Sequence, residues 1–596
     1  LTAGRDAAVT GAVSAGQALT VDAAGDVSVS ARGSLQTQDA LRVAAGRDLA
    51  LGGSLVMGDQ DVRVQAGRNL RAGTAADSGS GNGNNGTGGN NNGNTGGTGN
   101  NNGGTGGNNG SNGSGNNGGN TGSTGGNAGN GAGTSNGSGA GASTETAAST
   151  QSVGLVSAKG ALTLQAGRDV QLPGQISAAR TLQAEAGGEL STTAGARLQS
   201  GQAMGIRAGE GVTLAGSALS DTSLSIDVAR ELRLDGSALA YGGTLRLAGN
   251  DVLLGAASKT QGRGIDVTAT RDLRAGGALV SAGAVKLDAG RDAAVSGTLN
   301  ADGDLTLQAR GAATTDGQLS STGKLQLQAG SDATLKGSLR SNSDLTADAG
   351  GKLALLGSAS ATTGALNLTS VGDLSIGKDA TAQAGGAIGL RTQGNFTTAG
   401  ALASLQALTI SAAGDAAIDG KLLAGGPLSV DAIGKIAAGA DAKLQAKGAL
   451  RLDAGKALTL AGLAETNAGM TLASGTDLRV DGSAMAYGGA LSLTAGERLA
   501  LASTSRAQGT GITARSGGDL EAAGEMGARG DITLSASQDL RLAGKGAAAG
   551  NLTLTAARDL RAQAASQWEA DGGASIKAGQ DAALAGALRT NRDIGL

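Results

Sequence analysis

Apolar residues recur along this chain in columns spaced twenty residues apart. The clearest columns are Val285, Leu305, Leu325 and Leu345; Leu287, Leu307 and Leu327; and Leu299, Leu319 and Leu339. Polar residues such as Thr306 and Gln326 stand between the first two columns, so each triplet reads apolar, polar, apolar. This period of two is typical of a β-strand with one buried face. Further strand positions such as Val295 and Leu335 follow ten residues after the first column, so three short strands per repeat are predicted.

Short strands at this period predict a solenoid. A single coil cannot bury its own apolar face, so its stability has to come from the coils above and below it. A helical alternative fails because glycine recurs every few residues, and each glycine inside a helix costs about 1 kcal/mol relative to alanine. The predicted fold class is therefore all-β, a right-handed parallel β-helix of about twenty residues per coil. The hand follows from the general rule for parallel crossovers.

Glycine and aspartate mark the turns between the strands. The tetrapeptide Ala-Gly-Arg-Asp occurs at 3–6, 45–48, 166–169 and 289–292. We expect the glycine to supply a positive φ and the aspartate side chain to close the turn.

A longer repeat lies on top of the shorter one. The segment 235–243 recurs at 481–489 with a single difference, an offset of about 246 residues or twelve coils. This offset predicts a β-helix block at 153–398 and a second, incomplete copy of it at 399–596, preceded by β-helix coils at 1–73.

Residues 74–152 interrupt the pattern. This tract contains no Leu, Val or Ile and consists almost entirely of Gly, Asn, Ser and Thr. Such a segment cannot bury a core, and we predict a disordered loop. The residues before and after the tract match consecutive positions of the repeat, which favours a loop thrown out from one turn over a flexible joint between two rods.

Composition removes most catalytic chemistry. The chain has no His and no Cys, which excludes His-assisted nucleophiles, zinc sites built from thiolate or imidazole, and disulfides. Its net charge is -3 and its basic residues are spread singly, so nucleic-acid binding has no electrostatic footprint. No apolar run approaches the roughly 18 residues of a membrane span. We predict no enzyme activity and no catalytic, cofactor or metal site.

The turn Ala-Gly-Arg-Asp-Leu, as at 45–49, followed by a twenty-residue coil in a chain rich in Ala, Gly and Leu, resembles the filamentous haemagglutinin repeats of two-partner-secretion exoproteins. The resemblance covers all of the chain except the tract. It implies a secreted bacterial surface adhesin, or the stalk of a contact-dependent growth-inhibition toxin. The implied partners are an outer-membrane transporter and receptors or glycans on host or neighbouring cells. The transporter would act through a region outside this sequence, which we expect to be part of a longer chain.

Three sets of residues are candidates for contacts with partners. Arg529, Gly530 and Asp531 form an integrin-type tripeptide, although Gly-Asp before an apolar triplet is also the ordinary turn of this chain. Tyr241 and Tyr487 hold equal places in the long repeat and are either exposed contacts or, as is more usual beside glycine, packed against a turn. Glycosylation sequons, which the composition of the tract also produces by itself, begin at Asn85, Asn109, Asn112 and Asn136.

The main physical property that this sequence predicts is an elongated shape. About 25 coils at about 4.8 Å each give a rod on the order of 120 Å long. The leading hypothesis is a non-enzymatic shaft that projects a tip or a receptor-binding region from the cell. A toxin stalk is the alternative within the same family. A β-helical polysaccharide lyase or hydrolase is less favoured, since such enzymes need paired carboxylates about 5 to 10 Å apart in a cleft.

Overall fold

The computed structural model describes residues 1–57, 60–73 and 155–595, which fold into an all-β parallel solenoid. Its 76 strands form three sheets, and each coil contributes one strand to each sheet in turn. Sheet A consists mostly of five-residue strands, sheet B of strands of three or four residues, and sheet C of four-residue strands. This architecture confirms the predicted fold class, while the right-handed sense stays a prediction.

One central coil illustrates the arrangement. It contains Leu305–Ala309 in sheet A, Ala313–Thr315 in sheet B and Gln318–Ser321 in sheet C. The solenoid begins with Thr2–Ala3, Ala7–Val9 and Ala12–Ala15, and its last strands in sheets A, B and C are Ile594–Gly595, Ala582–Leu584 and Ala587–Thr590. The described residues include no helix, and therefore none that is long and apolar enough to cross a membrane.

Neighbouring coils pair in parallel and in register along the predicted columns. Leu305 lies opposite Leu325 in sheet A, and Leu319 lies opposite Leu339 in sheet C. Burial alternates along nearly all of the described strands, and the inward residues are almost all Leu, Val, Ile or Ala. Full burial of one leucine side chain stabilises the fold by about 1.5 to 3 kcal/mol. The interior therefore consists of stacked aliphatic rows that each coil shares with its neighbours.

Buried serines hold the corners between sheets C and A. The Ser321 hydroxyl, 2% exposed, shares its one proton between the carbonyl oxygens of Gly303 at 2.7 Å and Lys324 at 3.0 Å. Ser341 makes the same bonds one coil further on. A hydroxyl can be buried here because corner carbonyls satisfy it.

The turn glycines have a different role from the predicted one. Among the described residues only Gly73 has a positive φ, of 116°. A Cβ on Gly167 would instead lie 2.2 Å from the carbonyl oxygen of Gly67, and a Cβ on Gly317 would lie 1.9 Å from that of Gly297. The prediction of positive φ is therefore wrong. At these two glycines the preceding coil approaches so closely that a side chain would meet its carbonyl, whereas coils that carry Ala229 or Arg310 at the position of Gly167 accommodate one.

The turn aspartates link coils to one another. Oδ1 of Asp6 accepts the backbone N–H of Asp26 at 2.8 Å, and Oδ1 of Asp169 accepts that of Glu189 at 2.9 Å. Asp292 receives the N–H of Ala312 in the same way, at 2.8 Å. Each carboxylate thus binds the equivalent turn of the next coil instead of closing its own, which corrects the predicted role.

Seven of the corners between sheets B and C are wider than the others in the described part of the chain. In each, a backbone N–H donates to the carbonyl three residues earlier: Gly33 to Ser30, Ala196 to Thr193, Ser258 to Gly255, Ala380 to Gly377, Ala442 to Gly439, Ser505 to Ala502 and Ser566 to Gln563. Most of these corners lie about 62 residues, or three coils, apart. The sequence analysis did not detect this intermediate period.

Strands on the two sides of the predicted loop are direct neighbours. In sheet A, Val62–Ala66 pairs with Leu162–Ala166 residue by residue, and in sheet B, Leu70–Ala72 pairs with Val170–Leu172. Oδ1 of Asp61 accepts the N–H of Ala161 at 2.8 Å, the same link that other coils make. The described coils before and after the tract belong to one compact unit, and the tract itself lies outside the described residues. The boundaries drawn at 153–398 and 399–596 stay predictions.

Candidate functional site

The tripeptide of Arg529, Gly530 and Asp531 occupies a corner between sheets C and A. It follows the strand Glu525–Ala528 and precedes Ile532–Ala536. Oδ1 of Asp531 accepts the backbone N–H of Asn551 at 2.6 Å, so this carboxylate makes the same inter-coil link as the other turn aspartates. Arg529 is exposed. An adhesive role for the tripeptide stays a prediction, and the corner by itself accounts for the aspartate.

Both tyrosines of the long repeat are exposed. Tyr241 follows the sheet C strand Ser237–Ala240 and is 53% exposed; Tyr487 follows Ser483–Ala486 and is 41% exposed. The structure therefore supports surface positions for these rings and not packing against a turn. The four asparagines of the sequons, Asn85, Asn109, Asn112 and Asn136, lie outside the described residues.

Charged side chains form ladders along the corners between sheets A and B. The Arg291 guanidinium hydrogen-bonds to both carboxylate oxygens of Asp272 and holds the pKa of that carboxyl below its usual value. Arg558 likewise lowers the pKa of Asp539, across distances of 3.1 and 2.9 Å. Exposed pairs of this kind contribute little individually. In the described part of the chain, no three His, Cys, Asp or Glu side chains lie close enough together to hold a metal ion.

A groove of about 710 Å³ runs along sheet C over seven successive coils. Its strands are Ser358–Ala361, Thr381–Ala384, Ala401–Ser404, Lys421–Ala424, Lys443–Ala446, Leu463–Thr466 and Ser483–Ala486. Most of the lining residues face outward from these strands or belong to the corners that follow them, and the buried last residue of each of six strands completes the lining. We call this surface the sheet C groove.

Apolar groups and amides dominate the sheet C groove. Leu405 is 76% exposed and Leu423 is 37% exposed, and Tyr487 closes one end. Its one lining carboxylate, Glu465, accepts a hydrogen bond from the Gln445 side-chain amide at 3.1 Å. Without a second carboxylate in its lining, the groove offers chemistry for binding and no acid–base pair of the kind that glycoside hydrolysis uses.

A smaller depression of about 510 Å³ follows on the same sheet. Gly527 and Ala547 form its shallow floor, and Arg506 and Glu525 stand beside it as an ion pair at 3.3 Å. The sequence analysis identified neither surface, because outward residues do not disturb the apolar columns. The signal that was present is the run of small or apolar outward residues, such as Ala403 and Leu423, in consecutive coils.

A long parallel β-solenoid with surface grooves and stacked polar corners defines a class of elongated repeat proteins. Comparison with known families places the chain within that class. Six segments match the model of the haemagglutinin repeat: 1–58, 173–234, 227–309, 280–357, 486–544 and 547–596. These matches cover more than half of the chain, which belongs to the haemagglutinin repeat family. No curated protein and no solved structure matches it. The repeats and the solenoid fit the shaft of a filamentous haemagglutinin-like adhesin.

Proposed function

We propose that this solenoid is the non-enzymatic shaft of a secreted bacterial surface adhesin and that it holds a tip or receptor-binding region away from the cell. The observation that carries the proposal is the continuous pairing of coils, in which sheets B and C each contain 25 parallel strands. At about 4.8 Å per coil, such a stack extends about 120 Å. The shaft acts through its length, because coils can be added to the stack without a change of fold.

Secretion through an outer-membrane transporter, by way of a region outside this sequence, is part of the same proposal. The absence of cysteine supports it, since no disulfide can form in the periplasm and block threading. The stalk of a contact-dependent toxin would have the same shaft and would differ only in the segment it carries. Contacts with host or neighbouring cells then fall to the tip and to exposed residues of the shaft.

A deletion by whole coils tests the role of length. Removal of residues 162–344 joins Ala161 to Leu345, which holds the same sheet A position as Leu162, and takes out nine coils or about 43 Å. Small-angle scattering should show a long axis shorter by that amount with the β-sheet circular dichroism retained. A matched deletion that ends half a coil later should unfold locally.

An adhesion assay on cells that display either the parent protein or the deletion variant then separates the effect of shaft length from the effect of receptor binding. Adhesion should fall with the short shaft and return when nine other coils of this chain replace the deleted ones. A compact scattering profile, or a failure of the replacement coils to restore adhesion, would contradict the shaft proposal.

A further inference from the structure

Two lysines stack directly on one another at the outer face of sheet C. Lys421 and Lys443 are register partners in neighbouring coils, and both are exposed. Lys447 lies at the corner after the second of these strands and lines the sheet C groove. Within the part of the chain that the structure describes, none of the three ammonium groups forms an ion pair or a hydrogen bond. Asp419 and Asp441 lie two residues ahead of Lys421 and Lys443 but pair with neither.

Many cations of the other coils pair with a carboxylate of an adjacent coil, as Arg246 does with Asp227 at 3.5 Å and Asp266 at 3.7 Å. Where two arginines stack as register partners, one of the two keeps a carboxylate partner: in the pair of Arg541 and Arg561, Arg561 lies 2.9 Å from Asp559. Where Arg42 stacks on Arg63, Arg42 still has Asp22 at 3.7 Å. Like charges directly opposite each other on adjacent strands are destabilising. Lys421 and Lys443 therefore stack without a carboxylate partner, and an external anion that paired with both would reduce the repulsion between them.

Exposed apolar groups lie beside these lysines. Leu423 is on the same face of the same strand as Lys421, and Leu405 is at the corner of the preceding coil. Leu405 is flanked by the corner glycines of the coils on either side, Gly385 and Gly425. These two flanks carry no side chain, and a Cβ on Gly425 would lie 2.2 Å from the Leu405 carbonyl oxygen, so the backbone would have to shift to accept one. The Leu405 side chain is therefore not covered by side chains at the equivalent positions of the two adjacent coils, which are glycines.

We propose that the sheet C groove binds an extended acidic peptide segment that carries apolar side chains at intervals. Seven coils span about 29 Å, the length of about nine extended residues. Carboxylates of the segment pair with Lys421, Lys443 and Lys447, and its apolar side chains cover Leu405 and Leu423. This binding function goes beyond the shaft role, which requires only length.

The form of the groove favours a peptide over other anions. All strands of the groove already have two neighbours, so a partner cannot add a strand and has to bind through side chains. The exposed amides of Gln383 and Asn467 can pair with the backbone of an extended chain. A polysaccharide lacks the apolar side chains that would cover Leu405, and a lipid surface is too flat to enter a concave groove.

Binding of a defined probe to the full chain tests the proposal. The probe is a fluorescein-labelled peptide of three Leu-Asp-Ser repeats, followed by fluorescence anisotropy at several salt concentrations. We expect saturable binding that weakens as salt rises. The double substitutions K421E/K443E and L405S/L423S should each weaken it at least about tenfold, or about 1.4 kcal/mol. A peptide with Asn in place of Asp should also bind at least about tenfold more weakly.

Lys259→Glu is the matched control, since Lys259 begins a sheet C strand outside the groove. It should change the affinity less than about twofold. Because all of the substituted residues are exposed, thermal unfolding should show that every variant folds. Equal affinities of all variants, or binding of heparin or anionic phospholipid vesicles in place of the peptide, would overturn the proposal. The deletion of 162–344 leaves the groove intact, so failure of the shaft proposal and failure of this one are distinguishable.

Discussion

Trp568 and Gly546 form a size-complementary pair inside the solenoid. They are register partners in sheet C, and Trp568 is 2% exposed although most inward positions of this sheet hold Leu, Ala or Ile. A Cβ on Gly546 would lie 2.1 Å from Cε3 and 2.2 Å from Cζ3 of the indole ring, whereas ordinary contacts are 3.4 to 4 Å. The glycine therefore provides the space that the tryptophan occupies.

Gly546→Ala should destabilise this part of the solenoid by about 2 to 3 kcal/mol, because a buried ring with neighbours on all sides has to move by about 1 Å. Trp568→Leu should destabilise the solenoid less than Gly546→Ala does. It loses aromatic area but removes the indole N–H, which has no hydrogen-bond partner. In the double variant the new methyl group fills the space that the ring leaves. We expect it to be within about 1 kcal/mol of the parent protein, so the two substitutions are strongly coupled.

Hydrogen–deuterium exchange of Lys545–Ala548 and Gln567–Ala570 measures these differences locally, which suits a solenoid that need not unfold in one step. Gly546→Ala should accelerate exchange about 30- to 150-fold, and adding Trp568→Leu should restore most of the protection. Fluorescence of the one tryptophan should shift to the red in the single glycine variant. The reasoning fails if Gly546→Ala leaves protection unchanged, or if the double variant is as poorly protected as the single one.

Two further predictions concern the corners. Gly317→Ala should lower the local stability of the coil stack by about 2 to 4 kcal/mol, because its methyl group would meet a backbone carbonyl that cannot rotate away. Gly527→Ala is the control, since a Cβ there meets nothing within 4 Å. Hydrogen–deuterium exchange should show faster exchange around Gly317→Ala and no change around Gly527→Ala. The depressed pKa of Asp272 means that its contribution to stability is present above about pH 4 and is lost as the pH falls through the folded-state value. Asp272→Asn should therefore lower the melting temperature at pH 7 and lower it less at pH 3, and an equal effect at both values would contradict the assignment.

The sequence predicts the interior of this fold well and its corners poorly. Period-two triplets such as the one at Leu305 fix which residues point inward, and the twenty-residue step fixes what stacks on them. The reason for glycine at Gly317 depends on a carbonyl twenty residues earlier, at a separation that only the rise between coils determines. Local turn chemistry therefore identified glycine as the corner residue but explained it wrongly, by a positive φ. The same holds for Asp169, whose partner is the next coil.

The candidate surface was beyond prediction for a related reason. Leu405 follows a buried strand position and reads as part of an apolar run, yet it lies at a corner and points outward. Its exposure depends on how many residues form that corner. Lys421 and Lys443 are 22 residues apart, whereas most coils contain twenty residues, so columns spaced by twenty residues do not align the two lysines. The pair of Gly546 and Trp568 is also 22 residues apart, and alignment of each coil on its own leucines would have revealed both.

The three kinds of position in a coil carry different constraints, and this separates fold from function in the solenoid. Inward residues are fixed by packing and the closely stacked corner glycines by the approach of the backbone, so substitution at either kind weakens the stack. Outward residues of a strand contact one another along that strand, as Ser429 and Asp431 do, and the equivalent side chains of two neighbouring coils, and a change there costs little. A binding surface can therefore arise on this shaft wherever consecutive coils change their outward residues together. Lys421 and Leu423 show such a change within a single strand, while the inward residue between them, Leu422, keeps its place in the core.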